Sequence, residues 1–180
     1  VESGRTEIQE SVFSVSATFD DIQTITQRAA ELAGTPLKVR VTPPDASLCA
    51  DERLIKQALI NLVTNSIKFS PRGGVIELSY SQEPGPRFTV VDHGVGIESS
   101  ELARVMEPFG QGGDVMTRRA DGVGLGLPLA ASFIGLHGGS LSLSSEVGQG
   151  TRVTVDLPES RIRADKKRDA AARDGRSPSD

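Results

Sequence analysis

Residues Asp51 to Ser70 read DERLIKQALINLVTNSIKFS. Ile55, Ala58, Leu59, Leu62 and Val63 recur at helical spacing, so one face of this segment is apolar and faces a core. Asp51 can cap the helix, and Pro71-Arg-Gly73-Gly74 stops it. Gln57, Asn61, Asn65 and Lys68 fall at i, i+4, i+8 and i+11. At roughly 100° per residue they share one narrow face. Amides and an ammonium beside a core-facing surface need partners, since burying such groups unpaired costs about 1–3 kcal/mol each. Taken alone, the stripe fits two readings. It is the solvated face of an amphipathic helix, or a set of groups aimed at a polar ligand.

Upstream, Leu37-Lys-Val-Arg-Val41 alternates as a half-buried strand does, and Pro43-Pro44-Asp45 turns the chain. Asp20 is expected to cap an earlier helix through Ile22, Ile25, Ala29 and Leu32, ended by Gly34 and Pro36. Val12, Val15 and Ala17 suggest a strand before it. Residues 1–10 are polar and read as the end of a preceding helix or linker. Downstream, Val75 to Gln82 and Arg87 to Val91 make a hairpin around Glu83-Pro-Gly-Pro86. Ser99 or Ser100 caps a short helix ending near Met106. Residues 110–122 lack apolar periodicity and read as a loop of the length that lids have. Leu125 to Leu136 is a helix closed by Gly138-Gly139. Ser140 to Ser145 and Arg152 to Leu157 are strands joined through Glu146-Val-Gly148-Gln-Gly150. After Pro158 the charged, alanine-rich residues 159–180 read as a solvated, disordered tail. The body of the chain is therefore residues 11–158. Its strands cluster in adjacent pairs without βαβ alternation. That pattern predicts an α+β two-layer sandwich, a mixed and mostly antiparallel sheet with helices on one face.

A chain of 180 residues fits one domain with a full core. The net charge of −4 argues against non-specific nucleic-acid binding. No apolar run is long enough to span a membrane. The single cysteine, Cys49, has no internal disulfide partner and reads as a packing residue, which suits a reducing cytosol. The first residue is Val1 rather than Met, and the expectation is a piece of a longer protein.

Three glycine-bearing stretches can carry chemistry. In Val90-Val-Asp92-His-Gly94-Val-Gly96-Ile97, an aspartate just past a strand can accept from an exocyclic amine, and the glycines let backbone approach a flat ring. A turn with a satisfied aspartate reads the same way. Gly122-Val-Gly124-Leu-Gly126-Leu127 runs into a helix, where free N–H groups and the dipole favour an anion. Its spacing is not that of a dinucleotide fingerprint or a P-loop, and a generic glycine-rich turn also fits. Gly148-Gln-Gly150-Thr151 is a turn between strands. His93 and His137 stand in no metal-ligand spacing.

Together these segments resemble a known family. Asn61-Leu-Val-Thr-Asn65-Ser-Ile-Lys68-Phe-Ser-Pro71 is similar to the N box of sensor histidine kinases. Asp92-His-Gly94-Val-Gly96 resembles the G1 box, Glu107-Pro-Phe109-Gly-Gln111 the F box, Gly122 to Leu127 the G2 box and Gly148 to Thr151 the G3 element. Their order and spacing are the family's. The chain thus resembles the ATP-binding catalytic domain of a two-component histidine kinase, in the GHKL superfamily with its Bergerat fold. The resemblance implies ATP and Mg²⁺ as ligands, with Asn65 on Mg²⁺ through its amide oxygen. Asn61 and Lys68 would face the phosphates. Asp92 would read adenine, with Gly94, Gly96 and Ile97 around the base. Gly122, Gly124, Leu125, Gly126, Leu127 and Thr151 complete the implied nucleotide site. Arg118 and Arg119 would contact phosphate from the lid, and Phe109 would anchor that lid.

Two positions depart from the family pattern. Val123 stands where Thr or Ser is common, which removes one hydroxyl from the phosphates, and His93 replaces a small polar residue. No acceptor motif of the His-Glu-x-x-x-Pro type is present. The phosphoacceptor histidine and the dimerising helices are therefore expected upstream of Val1. Implied partners are this dimerisation and phosphoacceptor domain in a homodimer and a response regulator receiver domain, with no nucleic acid and no membrane contact. The expected location is the cytoplasm, free or as the cytoplasmic part of a membrane-anchored sensor. Three activities remain open: a kinase that phosphorylates a histidine, an ATPase of the same fold, and a catalytically degenerate nucleotide-binding module. The ATPases carry a glutamate at the position of Asn61 as general base for water. An amide cannot take that proton, which favours transfer to a nucleophile supplied from elsewhere.

Overall fold

In the computed structural model, which describes residues 7–106 and 126–163, the chain runs β1 (Ser11–Ser14), α1 (Val15–Ala33), β2 (Leu37–Thr42), β3 (Ser47–Ala50), α2 (Glu52–Phe69), β4 (Ile76–Ser81), β5 (Arg87–Asp92), α3 (Leu102–Val105), α4 (Gly126–Leu136), β6 (Ser140–Glu146), β7 (Gly150–Asp156), a 3-10 turn (Glu159–Arg161) and β8 (Ile162–Arg163). The main sheet has five strands in the order β2-β4-β5-β7-β6. The β2–β4 pair is parallel and the other neighbours are antiparallel. This is the α+β sandwich expected from the sequence.

Period-two alternation sorts the two faces of the sheet. Leu78 pairs with Val90, Val90 with Val153 and Val153 with Leu143, which makes an apolar row across four strands. Tyr80, Phe88, Val155 and Leu141 form the next row. Phe88 meets Tyr80 at 5.0 Å and Phe19 of α1 at 6.0 Å between ring centroids. The opposite face carries Glu77, Ser79, Arg87 and Arg152. Helices α1, α2 and α4 lie on the apolar face, with α2 between the other two. Ile55, Ala58, Leu59, Leu62 and Val63 of α2 are buried there, as their spacing predicts. Asp92 follows Phe88 and Val90 at the same parity, so the pleat turns an aspartate inward at the end of β5.

A second sheet, β1-β3-β8, has three strands and departs from the sequence reading in several places. Helix α1 starts at Val15, not after Asp20. The Ser14 side chain accepts from the Ala17 N–H, which caps the helix and takes Val15 and Ala17 out of the strand expected there. Ser47–Ala50 is a strand held by antiparallel pairing with β1. Residues 7–10 are not helical. The solvated tail does not begin at Pro158: Ile162 and Arg163 pair with β3, and Ile162 packs on the core. Arg161 pairs with Glu10 and donates to the carbonyls of Cys49 and His137. Residues 164–180 lie outside the described residues.

The start of α2 is tied to both ends of the fold. Asp51 is 2% exposed, and its carboxylate accepts from the N–H groups of Gln9 and Leu54 and from Arg53. Its own N–H donates to Nε2 of buried His137, whose Nδ1 faces the Phe133 carbonyl at 2.7 Å. Burial opposes ionisation of Asp51, but the Gln9, Arg53 and Leu54 donors outweigh it and hold the carboxyl below its ordinary 3.8. A folded-state value below the unfolded one adds stability above the unfolded value, and that stability drains away as pH falls through the folded one. Urea unfolding below about pH 4 should therefore show a shallower loss of stability with acid in Asp51→Asn than in wild type. Glu10, also held low by Arg161, titrates in both proteins and cancels in the comparison.

Candidate functional site

A cavity of about 840 Å³ opens between α2, the β5–α3 connection, the N-terminal end of α4 and the tip of the β6–β7 hairpin. Asp92, 6% exposed, lies at its floor. Oδ1 accepts from the N–H groups of Gly94 at 2.9 Å and Thr151 at 3.2 Å. Oδ2 accepts from the Ser66 hydroxyl at 3.0 Å. An ionised carboxylate offers about four acceptor positions, so these three donors leave one vacant, on Oδ2.

The walls near Asp92 come from two segments that brace one another. Ile97 donates its N–H to Ser145 Oγ at 2.8 Å, and Gly148 donates to the Val95 carbonyl at 2.9 Å. Ser145 in turn donates to the Gly150 carbonyl and meets Thr151 Oγ1 at 2.9 Å. Val95 and Val147, 65% and 60% exposed, stand at the mouth and line the cavity with Ile97, Leu143 and Val153. The result is an apolar slot over an acceptor, suited to a flat ring that carries one donor.

The other end of the cavity is polar. Asn65 and Lys68 of α2 and Gly126 and Leu127 of α4 line it. Among the described residues the Asn65 side chain has no hydrogen-bond partner. A Cβ on Gly126 would lie 3.1 Å from Asn65 Nδ2, so the glycine lets the first turn of α4 close on that amide. Lys68 Nζ sits 5.6 Å from the centroid of the Phe69 ring. An ammonium, an unpaired amide and the N-terminal end of an 11-residue helix converge where a polyanion would find them. The Asn65 amide oxygen is a hard donor of the kind Mg²⁺ takes alongside phosphate oxygens and water, so the residues present fit that ion. No cluster of three His, Cys, Asp or Glu side chains suited to a metal occurs among the described residues.

Of the residues named from sequence, Asn65, Lys68, Asp92, Gly96, Ile97, Gly126, Leu127 and Thr151 come together at this cavity. Gly94 stands behind the floor, bonded to Asp92, where a Cβ would lie 2.9 Å from Asp92 Oδ1. Asn61 is half-buried outside the cavity lining, and its Oδ1 accepts from Gln57 at 3.0 Å. Phe109, Arg118, Arg119, Gly122, Gly124 and Leu125 lie outside the described residues. Sequence reasoning missed Ser66 and Ser145. Ser66 carried a usable signal: it follows Ala58 and Leu62 at i+8 and i+4 on the apolar face, where a hydroxyl needs a reason to be.

The matching family model is described as histidine kinase-, DNA gyrase B-, and HSP90-like ATPase, and it covers residues 50–161. The histidine protein kinase DivJ of Caulobacter vibrioides is 36% identical over 159 residues, 88% of this chain and 26% of DivJ. The circadian input-output histidine kinase CikA of Synechococcus elongatus is 34% identical over 163 residues, 88% of this chain and 22% of CikA. The chain thus spans about a quarter of the length of these relatives. Full-length ShkA, solved in complex with AMPPNP, superimposes with a TM-score of 0.76 at 27% identity over 88% of this chain and 33% of ShkA. The nucleotide-free catalytic domain of the histidine kinase ThkA shares the fold, with a TM-score of 0.71 at 23% identity over 86% of this chain and 97% of that domain.

Proposed function

The chain belongs to the histidine kinase-, DNA gyrase B-, and HSP90-like ATPase family, and from that premise we propose that it binds Mg²⁺-ATP and donates the γ-phosphoryl group to a histidine of a separate phosphoacceptor domain. The observation that carries the proposal is the polarity of the cavity. One end has a buried carboxylate with a single vacant acceptor position beneath an apolar slot. The other has Asn65, Lys68 and the start of α4. A 6-amino purine carrying a chain of phosphates has that same order of groups. Binding of AMPPNP by ShkA supports the same ligand class.

In this reading the Asp92 carboxylate takes one hydrogen of the exocyclic amine, and Val95, Ile97 and Val147 cover the ring. Lys68 and the N–H groups of α4 balance phosphate charge. Asn65 would hold Mg²⁺, which when bound would supply neutralisation of charge on the phosphate oxygens. The chain's own task is positioning, since phosphoryl transfer asks little covalent chemistry of the protein. An imidazole nitrogen from the acceptor domain forms the new bond to phosphorus, the bond to the β-phosphate oxygen breaks, and ADP remains. Asn61 supports transfer to such a nucleophile over transfer to water. An amide cannot act as base, and its oxygen is already engaged by Gln57.

The deciding experiment mixes this chain with a separately produced dimerisation and phosphoacceptor domain and γ-labelled ATP. Acid-labile label on the acceptor domain is the expected result. Nucleotide binding without transfer would reduce the chain to a regulatory nucleotide-binding module. The Mg²⁺ assignment has its own check. Asn65→Ala should bind ATP with an affinity that no longer responds to Mg²⁺, whereas wild type should tighten as Mg²⁺ is titrated in. Equal Mg²⁺ responses in calorimetry would remove Asn65 from that role.

A further inference from the structure

Three hydroxyls in the helices spend their proton locally. Thr24, Thr26 and Thr64 each donate to the carbonyl four residues back, the usual bond for such side chains. Ser66, in the same helix as Thr64, does otherwise. It is 4% exposed, lines the cavity and donates across the fold to Asp92 Oδ2 at 3.0 Å. Its proton is therefore committed, and the hydroxyl can offer the cavity only lone pairs. The floor beside Asp92 becomes a surface of acceptors, with one vacant position on Oδ2 and the Ser66 oxygen next to it.

We infer that Ser66 is a specificity-determining positioning residue that tunes Asp92 to accept one amine hydrogen and to reject bases lacking it. The inference rests on the nucleotide reading given above. A 6-amino purine satisfies the vacant position. A 6-oxo purine brings an acceptor against acceptors, and an unsubstituted ring leaves the carboxylate without its donor. Either mismatch leaves buried polar groups unpaired, which is the strongest source of discrimination a small site has. Without the Ser66 donor, Oδ2 has two open positions and a water can take the one meant for the ligand. The Thr151 and Gly94 bonds hold only Oδ1, so the fold survives while the aim of Oδ2 is lost.

The test is calorimetric titration of wild type, Ser66→Ala and Ser66→Cys with ATP and with the triphosphate of purine riboside, which has hydrogen at position 6. Ser66→Ala should bind ATP about tenfold more weakly while its affinity for the unsubstituted analogue stays within about twofold of wild type. Ser66→Cys, whose thiol is a weak donor of similar shape, should fall between the two, and it carries the comparison if the alanine variant is poorly folded. Equal losses on both nucleotides, or no loss on ATP, would overturn the inference while leaving ATP binding intact. Wild type that binds neither nucleotide would overturn the nucleotide reading and this inference with it.

Discussion

Asp92→Asn should weaken ATP binding by about 1.5–3 kcal/mol, roughly 10- to 150-fold in the dissociation constant. The size follows from what an amide does in this setting. Two backbone N–H groups, from Gly94 and Thr151, demand an acceptor at the Oδ1 position, so the asparagine oxygen is drawn there. The amide nitrogen then occupies the Oδ2 position. It would present hydrogens to the ligand amine, a donor facing a donor, where wild type offers an ionised acceptor. Ser66 loses its acceptor at the same time. With the ligand seated over this floor, water is poorly placed to relieve either conflict. The variant should remain folded, since Oδ1 keeps its two partners. Calorimetry with ATP checks the affinity, and an unchanged dissociation constant would remove Asp92 from base recognition.

Much of this was legible in the sequence, for a reason that can be located. Helix α2 and the β4–β5 hairpin are written in local periodicities. The apolar face of Ile55, Ala58, Leu59, Leu62 and Val63 needed no distant partner to be seen. The Asp92 turn by itself left two readings open, and Asp92 was singled out only because five motifs together resemble one family. What escaped was fixed by contacts that local patterns do not contain. Strand β3 is four residues long and exists through its pairing with β1, Ser11 with Ala50 and Ser14 with Ser47. The start of α1 was misplaced because Val12, Val15 and Ala17 look strand-like until the Ser14 side chain is seen to cap. Ser66 reaches Asp92 across 26 residues and Ser145 reaches Ile97 across 48, so neither role could be written in a short motif.

The site is thereby divided into a part the helices build and a part the hairpin builds. Asn65 and Lys68 come from the polar stripe of α2 and Ser66 from the apolar face beside it, so one helix, held by the core beneath it, carries all three. The apolar wall around Val95 and Val147 has no such support. It consists of the turn Gly94 to Ile97 leaning on the hairpin tip Glu146 to Gly150 through the Gly148 to Val95 and Ile97 to Ser145 bonds. Its geometry depends on how closely two backbones can approach, which makes glycine the residue to test.

Gly96→Ala should destabilise the protein by about 2–4 kcal/mol and weaken ATP binding at least about tenfold. Gly96 has φ +72°, and a Cβ there would lie 2.6 Å from the Glu146 carbonyl carbon and 3.0 Å from Val147 Cα. Those atoms are backbone and cannot swing aside as a side-chain tip can. The turn and the hairpin tip must separate, which strains the Gly148 to Val95 and Ile97 to Ser145 bonds and displaces Val95 and Val147 from the ring. Gly148 supplies the control. Its φ is +79°, nearly the same, yet a Cβ there meets nothing within 4 Å. Gly148→Ala should therefore cost only the left-handed backbone penalty, about 1–2 kcal/mol, with ATP affinity within about twofold of wild type. Thermal or urea unfolding and nucleotide titration on the two variants separate conformational preference from close approach. Equal effects of the two substitutions on binding would mean that the wall does not depend on the contact between Gly96 and Glu146.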